Sequence, residues 1–138
     1  MKNSVLLFLF FSALVLSFTG CKKDSSPVSN ENTNNSPTVP INPSPRDSAI
    51  GVDDSSNVIL TWESTDPDLN DTLRFDLFAG ASLPLSGVPL AGNLTAANYN
   101  MGQLSYPGAT YYWQIRANDN HGASATGSIW RFTVRTRP

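Results

Sequence analysis

One cysteine, one histidine and two methionines are all that 138 residues contain of the side chains most used for redox work and soft-metal binding. With a single thiol no intramolecular disulfide can form, so the fold must stand on packing alone. No Cys/His cluster has zinc spacing, and no glycine-rich phosphate loop follows a strand-like run. There is no nucleophile-elbow motif, and the lone His121 lies in a loop-like stretch beside Asp119. Catalytic activity is therefore not expected. Charge is scarce too. Nine basic residues stand against eleven acidic ones, a formal net charge of −2. That leaves no basic face of the kind nucleic acid requires. Long apolar runs are absent, with one exception.

The exception is Val5–Phe18, about 14 residues that are almost wholly apolar, preceded by Lys2 and followed by the small pair Thr19-Gly20 and then Cys21. The run is short of the ~20 residues that cross a ~30 Å hydrocarbon core, which argues against a span left uncut. Only Ser12 and Ser17 interrupt it, too few to give a helical stripe, which argues against a buried helix. The order Phe18-Thr19-Gly20-Cys21 resembles the lipobox of bacterial lipoproteins, with Phe18 where leucine is usual. That resemblance implies a leader over 1–20, cleavage before Cys21, and acylation of the Cys21 thiol. Several acyl chains on one residue, at ~0.8 kcal/mol per buried CH₂, hold a chain firmly to a bilayer. The following Lys22-Lys23-Asp24 resembles the surface-export tags of Bacteroidota lipoproteins; a solvated linker start is the alternative. The implied location is the cell outer membrane, periplasmic or surface-facing.

From residue 21 to 45 the chain is largely Ser, Asn, Pro and Thr, with little apolar side chain to offset its ordering entropy. It reads as a tether. About 24 residues reach ~80 Å drawn out and roughly 27 Å as a coil.

Residues 46–138 read as one domain. Val58, Leu60 and Trp62 alternate with Ile59, Thr61 and Glu63, the period-2 pattern of a half-buried strand. Leu73, Phe75 and Leu77 repeat it, as do Tyr111, Trp113, Ile115 and Ala117, and finally Trp130, Phe132 and Val134. Turn chemistry at Asp66-Pro67-Asp68, Ser86-Gly87, Ala91-Gly92-Asn93, Pro107-Gly108 and His121-Gly122 separates the runs. The expectation is an all-β antiparallel sandwich. Trp62, the Leu104–Pro107-Gly108–Tyr111 stretch and the Trp113-Ile115-Ala117 alternation resemble a fibronectin type III domain. The likeness covers 40–135 and implies seven strands in an immunoglobulin-like sandwich. It says little about function, because that sandwich hosts many unrelated roles.

One loop stands above scaffold. Asp66-Pro67-Asp68-Leu69-Asn70-Asp71 gathers three carboxylates and an amide between the run ending at Glu63 and the run beginning at Leu73, and Asp119-Asn120-His121-Gly122 follows the run beginning at Tyr111. In an immunoglobulin-like sandwich these two loops share one end. Asp66, Asp68, Asp71 and Asp119 are therefore candidate Ca²⁺ ligands, since that cation takes six to eight oxygens, carboxylates among them. The pairing resembles cadherin-like repeats of bacterial surface proteins, some of which bind Ca²⁺. The plainer reading is turn chemistry, where Asp and Asn bond the nearby backbone. Apart from that cation no cofactor is expected.

Trp62, Trp113 and Trp130 fall on inward registers and read as core. Phe78 and Tyr112 fall on outward registers, either as a ligand-binding patch or as ordinary cross-strand packing. Leu83–Leu90, with Pro84 and Pro89, reads as an irregular edge segment. The expected protein is a monomeric, lipid-anchored, non-catalytic module contacting protein or glycan, with a bare spacer or accessory subunit and a Ca²⁺-dependent surface domain as the alternatives.

Overall fold

A computed structural model describes residues 33–136; the leader, Cys21 and the first part of the expected linker lie outside the described residues. Period-2 alternation builds the two longest strands, β4 (Arg74–Gly80) and β7 (Thr110–Asn118), which pair antiparallel from Arg74↔Asn118 to Gly80↔Tyr112. Around them lie β1 (Ile41–Ser44), β2 (Ala49–Val52), β3 (Ile59–Glu63), β5 (Ala91–Leu94), β6 (Asn98–Asn100), β8 (Ser124–Thr126) and β9 (Trp130–Val134). One sheet runs β1-β3-β6; the other runs β2-β9-β7-β4-β5, with β8 also paired to β7. No helix occurs among the described residues. The fold is the expected all-β sandwich.

The core fills the gap between the sheets. Trp113, Phe132, Leu60, Leu77 and Ile115 are fully buried, and burying each such side chain contributes about 1.5–3 kcal/mol. All three tryptophans face inward. Trp62 meets Phe75 edge-on at 5.4 Å, and Trp113 meets Trp130 at 4.7 Å. Such aromatic pairs add ~1 kcal/mol beyond their area. Leu104 is buried with them, and Tyr111 stacks on Phe132 at 5.6 Å.

Three expectations change. The described residues make nine strands rather than seven, because the first and last strand positions are each broken. Pro43 and Pro45 carry no N–H to donate, so β1 stops and the chain crosses to the other sheet as β2. The last position divides into β8 and β9 at Gly127–Ile129, where Gly127 N–H still donates to the Ile115 carbonyl at 2.8 Å. The crossing also makes one pair parallel, β2 with β9, so the sandwich is not wholly antiparallel. Second, Ala91-Gly92-Asn93, expected as a turn, is most of edge strand β5. Third, residues 33–39, expected as linker, lie on the domain, where Pro37 is buried, and residues 40–45, counted with the linker although the fibronectin-like resemblance begins at 40, supply buried Pro40 and β1, which pairs with β3. Two prolines found a pocket that composition alone cannot reveal.

Candidate functional site at the loop end

Because Arg74 opens β4 opposite Asn118 at the close of β7, the loop entering β4 and the loop leaving β7 meet at one end. Each loop is shaped by its own aspartates. Asp68 N–H donates to Asp66 Oδ1 at 2.8 Å, and Asp71 N–H to the Asp68 carbonyl at 3.0 Å. Asp119 Oδ1 accepts from the N–H groups of His121 and Ala123, both at 2.8 Å. These are backbone-bonding turns of the kind Asp favours. Two bonds lock loop to loop: Thr72 N–H donates to Asn120 Oδ1 at 2.8 Å, and His121 Nδ1 meets Asp71 Oδ2 at 2.9 Å.

Three of the four expected ligands converge. Asp66, Asp71 and Asp119 each offer an oxygen, and these oxygens all lie within 4.8 Å of one another. Asp66 Oδ2 is buried and has no hydrogen-bond partner. Asp68 is engaged elsewhere: its carboxylate accepts from Asn35 N–H at 2.7 Å and Asn35 Nδ2 at 3.0 Å. A cavity of about 50 Å³ is lined by Asn34, Asp68, Asp71 and His121. It has room for a water or an ion, and a larger, more open hollow of about 460 Å³ adjoins it, lined by Pro67, Asp68, Leu69, Asn70, Asp71 and His121.

Electrostatics follow the bonding. The Asn35 backbone N–H, then its side-chain amide, hold Asp68 below the usual carboxylate range. Burial works against the Asp119 charge, but Asn34 Nδ2 and the loop N–H groups outweigh it and lower that pKa as well. The bond to Asp71 raises His121 above its ordinary value. One ring nitrogen of His121, Nδ1, is thus engaged by a carboxylate.

The outward aromatics Phe78 and Tyr112 are both half-buried. Phe78 stands opposite Gln114, and Tyr112 opposite Gly80. The Arg116 guanidinium covers the Phe78 ring at 5.5 Å from its centroid. Asp76 fixes that guanidinium, accepting from Arg116 Nη2 at 2.8 Å and Nε at 3.2 Å. Sequence reading missed this group and missed Asn34 and Asn35. An outward Asp and Arg on neighbouring strands could have hinted at the first, but nothing in a Ser/Asn/Pro tract hints at the second.

No protein-family model and no curated protein sequence matches the chain. Solved structures do. An Fn3-like protein from Clostridium thermocellum aligns over 99% of its length and 75% of this chain, at a TM-score of 0.50 and 20% identity. The fibronectin type III domain of human fibronectin type III domain containing protein 3 aligns over 92% of its length and 76% of this chain, at 0.52 and 17% identity. The domain has a fibronectin type III fold. The fibronectin-like unit also matches an alpha-L-rhamnosidase from Dictyoglumus thermophilum at a TM-score of 0.58 and 16% identity. There it covers 75% of this chain but only 13% of that one. The structures matched over nearly their whole length are fibronectin type III domains, whereas the enzyme matches over a small part of itself.

Proposed function

We propose that the chain is a non-catalytic binding module of the cell envelope, anchored to the outer membrane through acylated Cys21 and contacting protein or glycan with its fibronectin-like domain. The observation that carries the module reading is the two-sheet sandwich itself, whose loop-end side chains bond one another, Thr72 N–H to Asn120 Oδ1 at 2.8 Å and His121 Nδ1 to Asp71 Oδ2 at 2.9 Å. The near-complete match to fibronectin type III domains supports a module rather than an enzyme. The leader, the small residues and Cys21 support the anchor. Metabolic labelling with a fatty-acid analogue tests it: label in the wild type and none in Cys21→Ser is expected. An unlabelled wild-type chain free in the medium overturns the anchor. A glycan and protein array with the mature chain tests the binding part, and silence across it favours a spacer.

A second reading, divalent-cation binding at the loop end, draws on the Asp66, Asp71 and Asp119 oxygens and on the partnerless Asp66 Oδ2. Oxygens on opposite sides of a Ca²⁺ at 2.3–2.6 Å stand about 4.6–5.2 Å apart, so a 4.8 Å cluster fits one ion. Asp66, Asp71 and Asp119 would hold it, and it would staple the two loops. Calorimetric titration with Ca²⁺ decides: no heat and no melting shift dispose of the reading.

A further inference from the structure

Residues 33–40 belong to no strand, yet they are tied to the loop end. Asn34 Nδ2 donates to Asp119 Oδ2 at 2.8 Å, and Asn35 donates twice to Asp68. Adjacent asparagines thus take one carboxylate from each of two loops. Further along, Thr38 N–H donates to the Thr65 carbonyl at 2.7 Å, Thr65 N–H donates to Thr38 Oγ1 at 2.8 Å, and Ser64 Oγ donates to the Thr38 carbonyl at 2.7 Å.

The two ends of this segment are held differently. Pro40 is fully buried, and a Cβ on Gly127 would meet its carbonyl oxygen at 3.2 Å. It is wedged in the sandwich. Thr33, Asn34, Asn35, Ser36 and Thr38 are all exposed, and Pro37 alone among residues 33–38 is buried, so polar bonds at the surface do most of the holding. Backbone fastened in that way opens at low cost, well before a packed core does.

We infer that residues 33–38 form a clasp that closes across the two loops and opens about Pro40 while the sandwich stays folded. Closed, it covers the Asp68 and Asp119 carboxylates, which a basic or amide-bearing partner at this end would need. Open, it exposes them, and residues 33–39 join the tether, lengthening its reach by about 25 Å at ~3.5 Å per residue. The gain in reach rests on the anchor through Cys21; the clasp itself does not.

Amide hydrogen exchange on the mature chain tests the clasp without reference to lipid. The Asn35 and Thr38 amides are expected to be protected, yet to exchange at least ~100-fold faster than those of β4 and β7. In Asn34→Ala/Asn35→Ala, exchange at Thr38 and Thr65 rises about tenfold or more while β4 and β7 keep their rates. Asn35→Asp, which sets a like charge against Asp68, should open the clasp in the same way. Wild-type clasp amides with no protection overturn the inference, and so do clasp amides that exchange only with global unfolding. Variants that speed β4 and β7 as much as the clasp overturn it too.

Discussion

Arg116 and Asp76 sit opposite one another on β7 and β4, and one guanidinium both closes two bonds to the carboxylate and lies over Phe78. The acid has further donors: Asn93 N–H at 3.1 Å and Asn118 Nδ2 at 3.1 Å. Burial acts against the Asp76 charge, and these donors more than offset it, so its pKa falls below the ordinary carboxylate value. A depressed carboxylate contributes stability that is complete above its unfolded value, near 3.9, and is lost as pH drops through the lower folded value. Asp76→Asn should therefore destabilise by ~1 kcal/mol at neutral pH, a figure discounted because Arg116 is 42% exposed. Urea melts across pH should find the gap between variant and wild type closing as pH falls below the ordinary carboxylate range. A constant gap rejects the charge as its cause.

Gly127 is the second test. A methyl there meets the Pro40 carbonyl oxygen at 3.2 Å, Pro40 Cβ at 3.3 Å and the Ile115 carbonyl oxygen at 3.4 Å. Two of these neighbours are backbone and cannot swing away. Gly127→Ala should cost ~1–3 kcal/mol by overpacking, read as a lower melting midpoint with an unchanged m-value. An unaltered midpoint means that Pro40 is not wedged.

The lesson of the sequence is uneven for a physical reason. Trp62, Trp113 and Trp130 were legible as core because a strand with one buried face writes its register into every second residue. β1 and β2 carry no such mark: Ile-Asn-Pro-Ser and Ala-Ile-Gly-Val are mostly exposed, Ile50 by 85%. Asp66, Asp71 and Asp119 could be foreseen together because two loops at one end of a sandwich must meet. The partner of Asp68 could not. Asn35 lies 33 residues away in a tract whose composition reads as tether, and one amide-to-carboxylate bond leaves no periodic trace.

Phe78 and Tyr112 separate by truncation. Phe78 is covered by Arg116, so Phe78→Ala should lose the cation–π contact and cost about 1 kcal/mol of stability without altering any ligand affinity. Tyr112 stands between Gly80 of β4, which has no side chain to cover it, and Arg131 of β9. If the sheet face binds ligand, Tyr112→Ala weakens binding with little change in melting. Equal loss of stability in both variants argues that each ring is only packing.

Asp66 supplies the sharpest test of the loop end. In the absence of a cation its buried, partnerless Oδ2 carries negative charge toward Asp71 and Asp119, and gathered like charges are costly. Replacing it with asparagine removes that charge and gives the position an N–H₂ donor facing acceptors. Asp66→Asn should thus melt at the same temperature as wild type or higher in chelator. In millimolar Ca²⁺ the order reverses if the cluster holds the ion, because wild type gains RT ln(1 + [L]/Kd) and the variant loses a ligand. Asp119→Asn is no substitute, since Asp119 Oδ1 also fixes the His121 and Ala123 N–H groups and its loss disturbs the loop in either solution. A wild type indifferent to Ca²⁺, beside a variant that melts higher throughout, would mean that the three aspartates shape the turns at a cost in stability and bind nothing.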